Sequence, residues 1–251
     1  MIDMQYRQVA PEAAQEVQKG DGIRATRYRY PDAAGCRQHV ITNDDFGNPL
    51  WYCARQYRHC KCVMQPNSPL TEEELHRQAA NIKILLMDVD GVLTDGRLYL
   101  VPNGDGKLVE TKGFDSQDGI ALRWLSWFDI KTGVISGRES PATAERAAQV
   151  GMKWVFQGHI EKIPLFERIL SEAQVTSNEI AYVGDDLTDV VIMRRVGLSF
   201  ATANARCEVK RSASAVTQAA GGAGAVREVV ELLLKARGVW GDLLKKYEVT
   251  V

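Results

Sequence analysis

The chain has 251 residues, 45% of them hydrophobic and 25% charged, which is enough apolar material for one or two globular domains and excludes a disordered chain. A count of 31 Lys and Arg against 32 Asp and Glu leaves a formal net charge of −1, so nothing points to a nucleic-acid footprint or a polybasic membrane anchor, and small-molecule chemistry is the expectation. No stretch approaches the roughly 18 apolar residues that a membrane helix needs, and the start Met1-Ile2-Asp3-Met4-Gln5 lacks a signal-peptide apolar region, so the expected compartment is the cytoplasm.

Residues 1–69 mix Arg, Tyr, Cys, Pro and Asn without sustained helical or alternating periodicity. They read as an N-terminal extension ahead of a domain spanning 70–251. The extension could be poorly ordered, a small added module, or translated sequence upstream of a start at Met64. Cys36, Cys53, Cys60 and Cys62 crowd this segment beside His39 and His59, but their spacing matches no paired CxxC zinc pattern. Reduced thiols are the expectation.

Order begins at Pro69-Leu70-Thr71-Glu72-Glu73-Glu74, where Thr71 and Glu74 have capping-box spacing for a helix starting near Glu72. Apolar runs at 82–87, 130–135, 153–156, 179–184 and 198–201 then alternate with amphipathic stretches near 118–128, 139–150, 160–173, 187–196 and 224–237. That alternation predicts a Rossmann-like α/β fold, a parallel sheet with helices on both faces. One segment departs from it: Arg97 to Val101, the turn Pro102-Asn103-Gly104-Asp105-Gly106, and Lys107 to Thr111 read as an inserted β-hairpin.

In an open α/β sheet ligands bind beyond the C-terminal ends of the strands, so the residues that end each run matter most. The first run ends in Asp88-Val89-Asp90-Gly91. One carboxylate there can attack phosphorus and the other, two residues on, can handle a proton. An EF-hand loop opening at Asp88 would need a Glu at its twelfth position, which is Tyr99. The second run ends in Ser136-Gly137-Arg138, where a hydroxyl and the N–H groups entering a helix can hold phosphate oxygens, although the same residues also make a plain N-cap and turn. Lys162 opens the next helix and could neutralise a phosphate. The fourth run ends in Gly184-Asp185-Asp186-Leu187-Thr188-Asp189, three carboxylates whose repulsion calls for a lysine or a hard, oxygen-preferring cation such as Mg²⁺.

The order Asp-x-Asp-Gly, Ser-Gly-Arg, Lys, Gly-Asp-Asp-x-x-Asp resembles the haloacid dehalogenase superfamily, and Asp90 marks its phosphatase branch. Over about residues 72–248 the chain is most similar to the 3-deoxy-D-manno-octulosonate 8-phosphate phosphatase family, through the stretches Asp88 to Gly96, Ile135 to Ser140, Tyr182 to Leu187 and Gly221 to Glu228. The resemblance implies a Mg²⁺-dependent phosphatase without a cap domain, acting on a sugar-acid phosphate through an aspartyl-phosphate. It implies Asp88 as nucleophile, Asp90 as acid and base, and Lys162 as the third catalytic residue. Phosphate would lie on Ser136, Gly137 and Lys162, and metal on Asp88, the Asp90 carbonyl and Asp185, with Asp186 and Asp189 behind them. It further implies a homotetramer through the 97–111 hairpin, closing an otherwise open site, with a role for the tail near Tyr247 in an adjoining site.

The chain departs from this family in Phe114-Asp115-Ser116-Gln117-Asp118-Gly119, where relatives commonly have Asn-Val-Arg-Asp-Gly, so Gln117 stands in place of an arginine. Arg138 and Lys112 are the candidate contacts for the substrate carboxylate. The competing expectations are a capless phosphatase for a nine-carbon sugar-acid phosphate and a non-catalytic oligomerising domain of the same fold. Gly221-Gly222-Ala223-Gly224 misses the G-x-G-x-x-G spacing of a dinucleotide loop.

Overall fold

A computed structural model describes residues 70–249 and, ahead of them, the backbone of four short strands. The chain divides into two compact units, residues 1–64 and 65–251. In the first, β1 (Gln15–Gln18), β2 (Arg24–Arg27), β3 (Ile41–Asn43) and β4 (Pro49–Leu50) pair antiparallel in that order. Strands of two to four residues are too short to print an alternating pattern on the sequence. The cysteines and histidines weighed for zinc lie outside the described residues.

The second unit opens with α1 (Glu72–Ala79), whose N-cap Thr71 accepts the Glu74 N–H at 3.2 Å. The reciprocal half of the capping box is not made, because the Glu74 carboxylate turns to Arg77 instead, 3.3 Å away. Then follow β5 (Ile84–Met87), the hairpin β6 (Tyr99–Pro102) and β7 (Leu108–Thr111), α2 (Ser116–Trp127), β8 (Lys131–Ile135), α3 (Pro141–Val150), β9 (Trp154–Phe156) and α4 (Ile163–Ala173). The chain continues through β10 (Ile180–Gly184), a 3-10 turn (Leu187–Asp189), α5 (Val190–Met193), β11 (Leu198–Ala201), α6 (Cys207–Ser212), β12 (Ala215–Val216), α7 (Ala225–Ala236) and α8 (Trp240–Lys246). The sequence periodicity had not marked α6, β12 or α8.

Six strands form one parallel sheet in the order β12-β11-β10-β5-β8-β9, with no separate cap domain. In β5 the side chains alternate between faces. Leu85 and Met87 join a core roofed by α1, α2, α7 and α8, while Ile84 and Leu86 join a second core under α4, α5 and α6. All four are buried, each worth roughly 1.5–3 kcal/mol of transfer free energy, which is why both faces of the strand are aliphatic. The chain runs from β5 outward to β8 and β9 on one side and later to β10, β11 and β12 on the other. That switch opens a crevice at the C-terminal ends of β5 and β10. Among the described residues no helix is long and apolar enough to cross a membrane.

Near the C-terminus, Tyr247 packs against α2. Trp124 on α2 donates its ring N–H to the Tyr247 hydroxyl at 2.9 Å, and Tyr247 stacks on Trp127 with ring centroids 6.4 Å apart.

Candidate active site

The turn that follows β5 is built around Gly91. Its φ of +83° belongs to the left-handed region, and a Cβ there would lie 2.0 Å from the Asp185 Oδ2. Glycine therefore serves twice, in making the turn and in letting the end of β10 approach it. The Gly91 carbonyl accepts from the Thr202 hydroxyl at 3.2 Å and the Asn204 amide at 3.1 Å, while Gly221 N–H donates to Asn204 Oδ1 at 2.7 Å. A Cβ on Gly221 would lie 1.9 Å from the Gly91 carbonyl oxygen, and one on Gly222 would lie 2.5 Å from the Asp95 nitrogen. The Gly-Gly-Ala-Gly stretch is thus a close-packing device that clamps the turn.

Asp88, 9% exposed, stands at the mouth of the crevice. Its Oδ2 lies 3.0 Å from Lys162 Nζ, which is itself 2.7 Å from Asp189 Oδ1 and 3.2 Å from the Tyr182 hydroxyl. The three N–H bonds of the ammonium thus have three oxygen partners. Asp189 is wholly buried and fully engaged. Its Oδ1 accepts from Lys162 and Tyr182, and its Oδ2 accepts from the Asp185 and Asp186 N–H groups at 2.9 and 3.1 Å. Burial works against the Lys162 charge, but Asp88 and Asp189 outweigh it and hold the ammonium above its ordinary pKa. For Asp88, burial and then the Asp189 charge push the carboxyl up to about 6, partly offset by Lys162. Several kcal/mol of desolvation per buried ion makes such a cluster a poor source of stability, so its presence marks chemistry.

Asp185 follows β10 against the same crevice. Burial, then Asp189, Asp88 and Asp186, push its carboxyl up to about 8, and its Oδ1 is buried with no hydrogen-bond donor among the described residues. Carboxylate oxygens of Asp88, Asp185 and Asp189 all lie within 4.8 Å of one another, a donor set able to coordinate a hard divalent cation. Both Asp189 oxygens take two donors each, from Lys162, Tyr182 and backbone N–H groups, whereas Asp88 takes one on each oxygen, the Val89 N–H at 2.6 Å and Lys162 at 3.0 Å, and Asp185 Oδ1 takes none among the described residues. The Asp90 carboxylate does not join this group, although its main-chain carbonyl accepts no hydrogen bond among the described residues. Asp186 is exposed and caps the 3-10 turn by accepting the Leu187 N–H at 2.7 Å.

A second cluster adjoins the first. Asp90 Oδ1 meets Lys112 Nζ, Lys112 Nζ lies 3.2 Å from Glu110 Oε1, Glu110 Oε2 meets Arg138, and Arg138 Nε lies 3.7 Å from Asp90 Oδ2. Burial opposes ionisation of Glu110, but Arg138 and Lys112 outweigh it and lower its pKa. On the far side, the register that pairs Met87 with Val134 sets Ser136 just beyond β8, level with the turn after Asp88. Ser136 is buried at 2% exposure, whereas Gly137 is exposed and its N–H has no partner among the described residues. Gln117 is exposed in the first turn of α2, capped by Asp115.

The structure therefore gathers Asp88, Lys162, Asp185 and Asp189 into one group and Asp90, Lys112 and Arg138 into its neighbour, and leaves Asp186 outside both. Two members carried no site assignment in the sequence. Tyr182 is a lone hydroxyl in an otherwise aliphatic strand. Glu110 stands two residues before Lys112, a spacing that puts acid and base on one face of an extended segment.

A family model for haloacid dehalogenase-like hydrolases matches residues 142–229. The chain is 42% identical over 161 residues to the 3-deoxy-D-manno-octulosonate 8-phosphate phosphatase KdsC of Escherichia coli K12, covering 64% of this chain and 84% of that protein. It is also similar to the crystal structure of 3-deoxy-D-manno-octulosonate 8-phosphate phosphatase from Moraxella catarrhalis in complex with magnesium ion, phosphate ion and KDO. There the TM-score is 0.66 at 33% identity, covering 70% of this chain and 99% of that one. The cobalt-bound deoxy-D-mannose-octulosonate 8-phosphate phosphatase of Haemophilus influenzae gives a TM-score of 0.60 at 38% identity, covering 65% of this chain and 93% of that one.

Proposed function

The chain belongs to the 3-deoxy-D-manno-octulosonate 8-phosphate phosphatase family of haloacid dehalogenase-like hydrolases, and on that premise we propose that it splits 3-deoxy-D-manno-octulosonate 8-phosphate into the sugar acid and inorganic phosphate. The observation that carries this reading is the meeting of Asp88, Lys162 and Asp185 at the ends of β5 and β10, with Asp90 two residues from Asp88.

Asp88 is the nucleophile. Its carboxylate oxygen forms a bond to phosphorus as the bond from phosphorus to the sugar oxygen breaks. The electron pair leaves with that oxygen, which takes a proton from Asp90. Asp90 then accepts a proton from water as the water oxygen bonds to phosphorus, the aspartyl-phosphate breaks, and Asp88 is restored. Lys162, Ser136 and the Gly137 N–H hold the phosphoryl oxygens. For Lys162 the Tyr182 hydroxyl is the longest contact, at 3.2 Å, and the one that a phosphoryl oxygen replaces. Mg²⁺ held by Asp88, the Asp90 carbonyl and Asp185 supplies, when bound, positive charge against the phosphoryl oxygens and the crowded carboxylates. Arg138, half exposed beside Asp90, meets the substrate carboxylate.

All these groups lie within residues 70–251, which we assign as the phosphatase domain, with 1–69 an extension outside the chemistry. The hairpin supports a homotetramer that closes the capless site. Phosphate release from a panel of sugar-acid phosphates, eight- and nine-carbon, run with Mg²⁺ and again with a chelator, tests the reading. Metal-dependent turnover that favours the eight-carbon ester supports it. Turnover confined to aryl phosphates overturns it.

A further inference from the structure

We propose that Lys112, with Glu110 as its counter-ion, is a positioning residue that holds the Asp90 carboxyl for proton transfer, rather than a contact for substrate. The inference rests on the phosphatase reading above and assigns Lys112 a place within it. The Lys112 side chain is 2% exposed and its ammonium is already engaged by two carboxylates of its own chain, whereas the side chain of Arg138 is 47% exposed. Among the ion pairs of the described residues only the Lys162 cation is more buried, at 1%. Its partners are carboxylates, Asp90 Oδ1 in direct contact and Glu110 Oε1 at 3.2 Å.

Stability does not account for this arrangement. A buried ammonium costs several kcal/mol unless fully compensated, and here the cluster leaves Asp90 Oδ2, 3.7 Å from Arg138 Nε, buried without a hydrogen-bond donor among the described residues. Replacing the whole cluster with apolar side chains would avoid that desolvation. What the lysine supplies is direction. Asp90 sits in a turn rather than on a rigid strand, and an acid in proton transfer must stay within hydrogen-bond reach of the leaving oxygen. Glu110 lies in β7 and Lys112 directly follows that strand, so the base of the hairpin fixes the acid from outside the sheet.

The test compares kcat and KM for the wild type, Lys112→Met, Lys112→Arg, Glu110→Gln, Asp90→Asn and the Lys112→Met/Asp90→Asn double variant. Each is assayed in Mg²⁺ on a sugar phosphate and on an aryl phosphate, whose leaving oxygen needs little protonation. Asp90→Asn should show the loss of about 10²–10⁴-fold usual for an acid–base group, on the sugar phosphate. Lys112→Met should lower kcat on the sugar phosphate by about tenfold or more within that range, lose much less on the aryl phosphate and leave KM nearly unchanged. Lys112→Arg should recover part of the loss. The double variant should be no slower than Asp90→Asn alone, since both act through one group. Glu110→Gln, which keeps Lys112, should show the same leaving-group contrast more weakly and serves if Lys112→Met fails to fold. Equal losses on both substrates, a change in KM alone, or additive losses in the double variant would overturn the proposal. A wild type inactive on the sugar-acid phosphate would overturn the substrate reading instead, and any other alkyl phosphate it turns over would still decide the role of Lys112.

Discussion

Asp118 places one carboxylate oxygen on the Arg227 N–H in the first turn of α7, 2.7 Å away, and leaves the other buried without a hydrogen-bond donor among the described residues. Burial pushes this carboxyl up to about 6, against the pull of the α7 N–H groups. The sign follows from proton binding. The folded state holds a proton that the unfolded state has released between pH 4 and 6, so this group favours folding below pH 4 and loses that contribution as pH rises through 6, by at most about 3 kcal/mol. The loss is tolerated because Asp118 ties α2 to α7, whose preceding Gly221–Gly222 stretch clamps the turn after β5. Asp118→Asn should remove this pH dependence. In urea unfolding, the stability of the wild type relative to the variant should fall between pH 4 and 7; parallel curves would contradict the assignment.

At the scale of elements, the β6–β7 hairpin leaves much of its apolar surface uncovered. Leu98, Tyr99, Leu100, Val101, Leu108 and Val109 are each between 41% and 59% exposed. An apolar patch of this kind is expected to be covered in solution, and a second copy of the chain is the occupant that the proposed tetramer supplies. Excising residues 97–111 should give smaller assemblies by light scattering and poor turnover of the sugar phosphate, with aryl phosphate turnover less affected. A monomeric, fully active deletion would refute the idea that neighbours close the site. The hairpin was legible in the sequence because its turn residues and flanking β-formers are local signals. The strand-end clusters were legible for the same reason, since each is a short motif beside an aliphatic run. Legibility ended where contacts are distant in sequence. Nothing local in Glu110 announces Arg138, nothing in Gly221 announces Gly91, and the two- to six-residue elements β12 and α6 carry too few residues for a period to show.

For the whole molecule, the sheet order explains why residues nearly one hundred positions apart converge. Sending the chain to opposite sides of β5 leaves the ends of β5 and β10 facing one crevice, and the acids at both ends come together there with Lys162 from the start of α4. Asp88 is the proposed nucleophile of that crevice, and the most direct test is acid quenching during turnover followed by mass spectrometry of the peptide that contains Asp88. A phosphoryl group on Asp88, absent from an otherwise folded Asp88→Asn protein that no longer turns over, is the expected result. A phosphoryl group on another residue, or near-wild-type turnover by Asp88→Asn, would contradict it.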